Sequence, residues 1–156
     1  MSKYSKLQVP DLEEMGEQEA WQFLAGLLTN LDPEVEYAAR HEDYVLEMHQ
    51  SGERIGGREN MRAFQEAYPT EPSNNRMLRI RLRRVLVRER LWVAEGVADY
   101  PDGRTLDVVV ISELKDGRMW RDRWYFAEPF EAPEWRSRWV ERMDTGTPPR
   151  AGGDPV

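Results

Sequence analysis

The chain has 156 residues, one domain's worth of sequence. Charged residues make up 33% of it, with 29 acidic against 22 basic side chains and a net charge of -7, so nucleic acid is not an expected partner, because phosphate binding needs a basic footprint. The absence of cysteine excludes disulfides, thiolate catalysis, zinc ribbons and iron–sulfur clusters.

The longest aliphatic run, Val108 to Ile111, is far too short to span a bilayer, so no membrane partner is expected. Met1 to Asp11 has no apolar signal-peptide core, and a cytoplasmic protein is expected. Residues 1–16 lack a clear period and read as an N-terminal extension lying over the surface. Residues 17–143 read as one domain. Residues 144–156, rich in Gly and Pro, read as a disordered tail.

The first helix is predicted from Glu17 to Leu31, where Trp21, Leu24, Leu28 and Leu31 form an apolar stripe that Phe23 and Leu27 widen. Asp32 is the expected N-cap of a second, short helix with Pro33 as its first residue. Tyr44 to His49 alternates weakly and reads as a strand. After the Gln50-Ser51-Gly52 turn and the Gly56-Gly57 pair, a third helix spans Arg58 to Tyr68, burying Met61 and Phe64, and Pro69 stops it.

From Asn75 the period becomes two. Leu78, Ile80 and Leu82 alternate with Arg79, Arg81 and Arg83, and the Arg83-Arg84 pair then shifts the phase to Val85 and Val87, which predicts a β-bulge. Further strands follow at Leu91–Tyr100, Thr105–Leu114 and Arg118–Ala127, separated by the Pro101-Asp102-Gly103 and Asp116-Gly117 turns. Pro133 begins a short helix that places Trp135, Trp139 and Met143 at i, i+4 and i+8, as core residues or as a cap on the barrel or on a dimer seam.

Three helices followed by a long meander predict an α+β fold, a cone-shaped, curled antiparallel sheet of four to six strands closed by three N-terminal helices, with a short C-terminal helix. Seven arginines lie between Arg76 and Arg90. No aromatic stacking platform is interleaved with them, so they read as a solvated or dimer-facing surface crosslinked to acidic neighbours.

The element order, the Gly56-Gly57-Arg58-Glu59-Asn60-Met61-Arg62-Ala63-Phe64 helix start, the Asp116-Gly117-Arg118-Met119 hairpin and the Tyr125-Phe126-Ala127-Glu128-Pro129-Phe130 ending resemble the nuclear transport factor 2-like superfamily, in particular its SnoaL-like (polyketide cyclase-like) branch. The resemblance covers roughly Glu17 to Met143. It implies a cone around an apolar pocket, and a homodimer paired through the sheet. It does not fix the function, because relatives include ketosteroid isomerase, scytalone dehydratase, limonene-epoxide hydrolase, polyketide cyclases and non-catalytic modules.

Two of the family's mechanisms are missing their residues. The general-base Asp of ketosteroid isomerase-like members falls on Met48, with His49 beside it, and their oxyanion-hole Asp falls near Val109. The last-strand Asp of epoxide hydrolase-like members falls on Trp124, and their Arg-x-Asp pair lands near Glu95 and Val97.

Strand parity counted from position 124 puts Trp120, Asp122 and Phe126 on the pocket side, and with them Val93, Glu95, Val97, Asp107, Val109, Ile111 and Glu113. The candidate catalytic residues are Asp122, His49 and Glu95. Asp122 leads because Trp120 and Trp124 should keep water from it and raise its pKa; a buried ion pair with an arginine is the competing reading. The candidate substrate-binding residues are Trp120, Trp124, Val109, Ile111, Phe64 and Met48.

No metal or cofactor is expected. Two histidines without cysteine supply too few ligands, and no Gly-rich nucleotide motif or Gly-x-Ser-x-Gly elbow occurs. The function expected is that of a small-molecule pocket protein. It is either a cofactor-independent enzyme (isomerase, cyclase, dehydratase or hydrolase type) using carboxylate acid/base chemistry on a small apolar metabolite, or a non-catalytic binding or dimerisation module of the same fold.

Overall fold

The computed structural model describes residues 8–30, 32–68 and 79–144. In chain order they form α1 (Glu17–Asn30), α2 (Pro33–Ala39), β1 (Arg40–Met48), β2 (Glu53–Gly56), α3 (Arg58–Glu66), β3 (Arg79–Arg88), β4 (Leu91–Asp99), β5 (Thr105–Lys115) and β6 (Arg118–Ala127), with short 3-10 segments at Leu12–Glu14 and Glu134–Trp139. The strands make one sheet in the order β2-β1-β6-β5-β4-β3. Neighbours are antiparallel except β1 and β6, which run parallel.

Local chemistry accounts for the junctions. The Asp32 carboxylate accepts the Glu34 N–H at 3.0 Å, and Pro33 opens α2. At the β5–β6 hairpin Asp116 and Gly117 both have positive φ, 51° and 69°, as a type I′ turn requires.

The sheet carries bulges. On β3 the register passes from Leu82 opposite Gly96 to Arg84 opposite Glu95, so Arg83 is the extra residue, at the Arg83-Arg84 pair where the phase shifts in the sequence. On β6 it passes from Met119 opposite Leu114 to Arg121 opposite Glu113, which makes Trp120 an extra residue. The resulting curl forms a concave face that α1 and α3 cover. Ala20, Leu24 and Leu27 of α1 and Met61 of α3 are buried there with Leu46, Val85, Trp92 and Ala94.

Several sequence expectations need correction. Trp21 is exposed, and the buried stripe of α1 is centred on Ala20, Leu24 and Leu27. β1 begins at Arg40 rather than Tyr44, and the short β2 was not anticipated. The segment before α1 is not a loose surface extension from Val9 onward. Leu12 is wholly buried, its N–H donates to the Gly117 carbonyl at 3.0 Å, and the Arg118 guanidinium donates to the carbonyls of Val9 and Pro10.

Glu134–Trp139 is a 3-10 segment with no buried residue. Among the described residues no element covers its apolar side chains, and Trp135, Trp139 and Met143 are exposed. Leu31, Pro69, the start of the arginine-rich run and the tail beyond Asp144 lie outside the described residues. Among those described, no helix is long and apolar enough to cross a membrane.

Gly96 faces the concave side beside the Arg83 bulge. A Cβ placed there would lie 2.5 Å from the Arg81 carbonyl oxygen and 3.3 Å from an Ile80 methyl. The backbone oxygen cannot move aside without distorting the bulge. Gly96→Ala is expected to lower stability by about 1–3 kcal/mol in urea denaturation. An unchanged midpoint would show that the bulge does not fix this approach.

Candidate functional site

The concave face encloses a cavity of about 300 Å³. Cross-strand neighbours point to the same side of a sheet, and the register therefore orders the wall. Asp122, Ser112 and Trp92 form one row across β6, β5 and β4, and Trp124, Val110 and Ala94 form the next. All six line the cavity. Towards the far end of the strands come Phe126, Val108, Gly96 and Tyr100, with Phe64 and Tyr68 of the α3 region facing them. The cavity thus has a polar end at Asp122 and an aromatic end.

Asp122 is only 4% exposed. The Tyr44 hydroxyl, from the neighbouring β1, donates to its Oδ2 at 2.7 Å, while Oδ1 has no hydrogen-bond partner. Burial raises the Asp122 pKa above its ordinary value; Ser112, Tyr44, the Arg40 charge and Trp124 pull it the other way without overcoming burial. The Trp124 indole N–H lies close enough to lower that pKa but outside hydrogen-bond geometry, and the Trp92 indole N–H is likewise buried without a partner. Burial and the adjacent Asp122 push the Tyr44 hydroxyl well above its usual pKa, so it stays a donor.

Also lining the cavity beside Asp122 is a buried ion pair. The Arg40 guanidinium donates to Glu36 Oε2 at 2.6 Å and to Gln65 Oε1 at 2.9 Å, and the Gln65 amide closes the triangle onto the same Glu36 oxygen. The guanidinium carbon lies 5.1 Å from the Tyr44 ring centroid. Arg40 is therefore neutralised mainly by Glu36. Asp122 feels its charge without forming an ion pair with it.

The structure divides the sequence-predicted residues. Asp122, Trp124, Phe64 and Met48 line the cavity. Val109, Ile111 and Glu95 do not. Their even-numbered neighbours pair with the Asp122 and Trp124 rows, which puts these three on the outer face together with Val93, Val97, Asp107 and Glu113. Counting from position 124 could not set the register of the adjoining strands.

Trp120 is also outside, because the bulge replaces it with Met119 on the inner side. Its ring is flanked by Lys115 Nζ at 5.5 Å and the Arg121 guanidinium at 5.1 Å. His49 stacks on Tyr125, with ring centroids 5.9 Å apart, reaches Glu47 at 3.3 Å and is exposed. It is not the partner of Asp122; Tyr44 is.

Sequence reasoning did not find Tyr44, Arg40, Glu36, Gln65, Ser112 or Trp92. Glu36, Arg40 and Tyr44 do recur every fourth residue, and on α2 the first two form a readable i, i+4 pair. The helix-to-strand change at Arg40 hides the third. Among the described residues no group of three or more His, Asp or Glu side chains is arranged to hold a metal ion.

No family model matches the sequence, and no curated protein does. Among solved structures, a nuclear transport factor 2-like protein of unknown function from Burkholderia xenovorans LB400 is 32% identical, covering 81% of this chain and 94% of that one with a TM-score of 0.66. The chain belongs to the nuclear transport factor 2-like superfamily. A candidate ketosteroid isomerase from Kribbella flavida DSM 17836 is 26% identical over 80% of this chain and 87% of that one, with a TM-score of 0.69. An epoxide hydrolase from M. tuberculosis, of the limonene-epoxide-hydrolase-like type, shares the superfamily fold at 20% identity, 68% of this chain, 78% of that one and a TM-score of 0.54.

The raised pKa makes stability depend on pH with a defined sign. The folded protein holds the Asp122 proton more tightly than the unfolded chain does. That contribution is complete below the ordinary aspartate pKa of about 3.9 and is lost as pH rises through the folded value. Asp122→Asn removes the titration and keeps an acceptor for Tyr44. Its Tm relative to the wild type is expected to rise from pH 4 to pH 8. A difference independent of pH would contradict the assignment.

Proposed function

We propose that this protein is a cofactor-independent enzyme that moves a proton on a small, uncharged, mostly apolar molecule by way of Asp122. The observation that carries the reading is a carboxyl group buried in an apolar cavity, held on one oxygen by Tyr44 and unpaired on the other. When ionised, Oδ1 is a base for a C–H or O–H of the bound molecule. When protonated, the same O–H is an acid for a ligand oxygen. Tyr44 keeps its proton and supports the ionised form through Oδ2.

Charge favours a neutral ligand, because Glu36 already balances Arg40. The unpartnered indole N–H groups of Trp92 and Trp124 favour a ligand with an acceptor oxygen. Its apolar part would lie toward Phe64, Tyr68, Tyr100 and Phe126. This arrangement differs from the ketosteroid isomerase base position, which holds Met48 here.

We also propose a homodimer paired through the outer face of the sheet. Val93, Val109 and Ile111 are only half-buried there.

Proton transfer is testable on a probe ketone, 2-acetylnaphthalene, in D2O. The wild-type protein is expected to deuterate the methyl group beside the carbonyl about 10²-fold or more faster than Asp122→Asn, followed by loss of the methyl proton signal. If the wild type binds the ketone, read by tryptophan quenching, yet exchanges it no faster than Asp122→Asn, the protein is a binding module and the enzyme reading falls.

A further inference from the structure

The chain after β6 carries large apolar side chains that the described elements leave exposed. Its bends are held by local hydrogen bonds, Arg136 N–H to the Pro133 carbonyl, Val140 N–H to the Ser137 carbonyl and the Ser137 hydroxyl to Glu134. Phe130, Trp135, Trp139 and Met143 are 77%, 75%, 63% and 82% exposed. Exposed single apolar residues are ordinary, but four large ones within 14 positions of one segment mark an interaction surface.

We infer that residues 129–144 form an arm that docks on the β3 edge of a second copy of this chain, each copy giving its arm to the other. Three observations point to a second copy as the occupant.

The first is that the chain carries a receiving surface of matching chemistry. β3 ends the sheet, and no described strand pairs with its outer side, although α1 packs beside it and the Val87 N–H there donates to the Glu17 carboxylate at 3.4 Å. At its end lie Leu86 and, across the hairpin, Leu91, 39% and 37% exposed.

The second is charge. From Arg79 to Arg88 the strand holds five arginines and no acid. Asp99 and Asp107 neutralise Arg81 and Arg83, while Arg84 and Arg88 form no ion pair with another described residue. The arm brings Glu131 and Glu141, both exposed, to meet them.

The third is area. Phe and Trp side chains bury about 150–250 Å² each. Three on each of two arms supply roughly 900–1,500 Å², before the receiving surfaces are counted, which is the scale of a stable interface at about 1,200–2,000 Å². A single foreign partner would take up only one arm and leave the arginine edge open. Reciprocal exchange satisfies both arms and both edges by one two-fold operation. Reach is no obstacle: an extended chain of 16 residues spans up to about 55 Å.

The experiment compares full-length protein with a chain ending at Glu128, by light scattering across a micromolar dilution series, with circular dichroism to verify the fold of each. The full chain is expected to be a dimer, and the shortened chain to dissociate at least 10-fold more readily. The full-length Trp135→Ser/Trp139→Ser variant should weaken the dimer in the same direction, and it serves if the shortened chain fails to fold. The absence of native cysteine allows a placement test. Ser137→Cys protein mixed with Leu86→Cys protein should be joined one-to-one by a short bismaleimide. A shortened chain that dimerises as tightly as the full one overturns the arm while leaving pairing through the sheet face standing. A full-length monomer overturns both. Crosslinking only when both cysteines sit in one chain places the arm on its own body and overturns the exchange.

Discussion

The hydrogen bond from Tyr44 to Asp122 ties together the one parallel pair of strands in the sheet and does so where water is excluded. A carboxyl at such a depth is tolerated only if its surroundings supply partners. Here they supply one full partner on Oδ2, the Ser112 hydroxyl, a nearby but separately neutralised arginine and the Trp124 indole N–H, which bonds to nothing. The group is held in place and left incomplete. That combination is what the proposed proton transfer rests on. Glu36 and Gln65 are buried with Arg40 and take up its guanidinium, which forms no ion pair with Asp122.

Curvature is what brings these groups to one wall. The Arg83 and Trp120 bulges each insert one residue into a strand, bend it and let six strands wrap an apolar volume. Gly96 permits the close backbone approach that the first bulge creates. The second bulge sends Trp120 outward and brings Met119 inward, below Asp122. The wall of the site is therefore set by an irregularity in the strand as much as by the identity of its residues.

Much of this architecture is readable before any coordinates. The Asp32-Pro33 cap, the Asp116-Gly117 hairpin and the phase shift at Arg83-Arg84 each rest on a local rule that tertiary packing does not overturn. The inward position of Asp122 follows from parity within β6. Parity fails once a count crosses a bulge or passes to another strand, which is why Trp120, Val109, Ile111 and Glu95 were expected inside. Tyr44 and Arg40 were missed for a different reason. Their role depends on β1 lying parallel beside β6, a pairing between distant parts of the chain that no local pattern announces. Membership of the superfamily narrows the shape of the site but not its chemistry.

The proposed chemistry depends most on the state of one carboxyl group. Titration of the Asp122 side-chain carbon by NMR, with Asp122→Asn to assign the resonance, reads it directly. A midpoint above the ordinary aspartate value of about 3.9 is the result expected for a desolvated acid held by Tyr44. A midpoint at or below that value would mean that Arg40 governs Asp122 as an ion-pair partner, and the proposed proton transfer would fall.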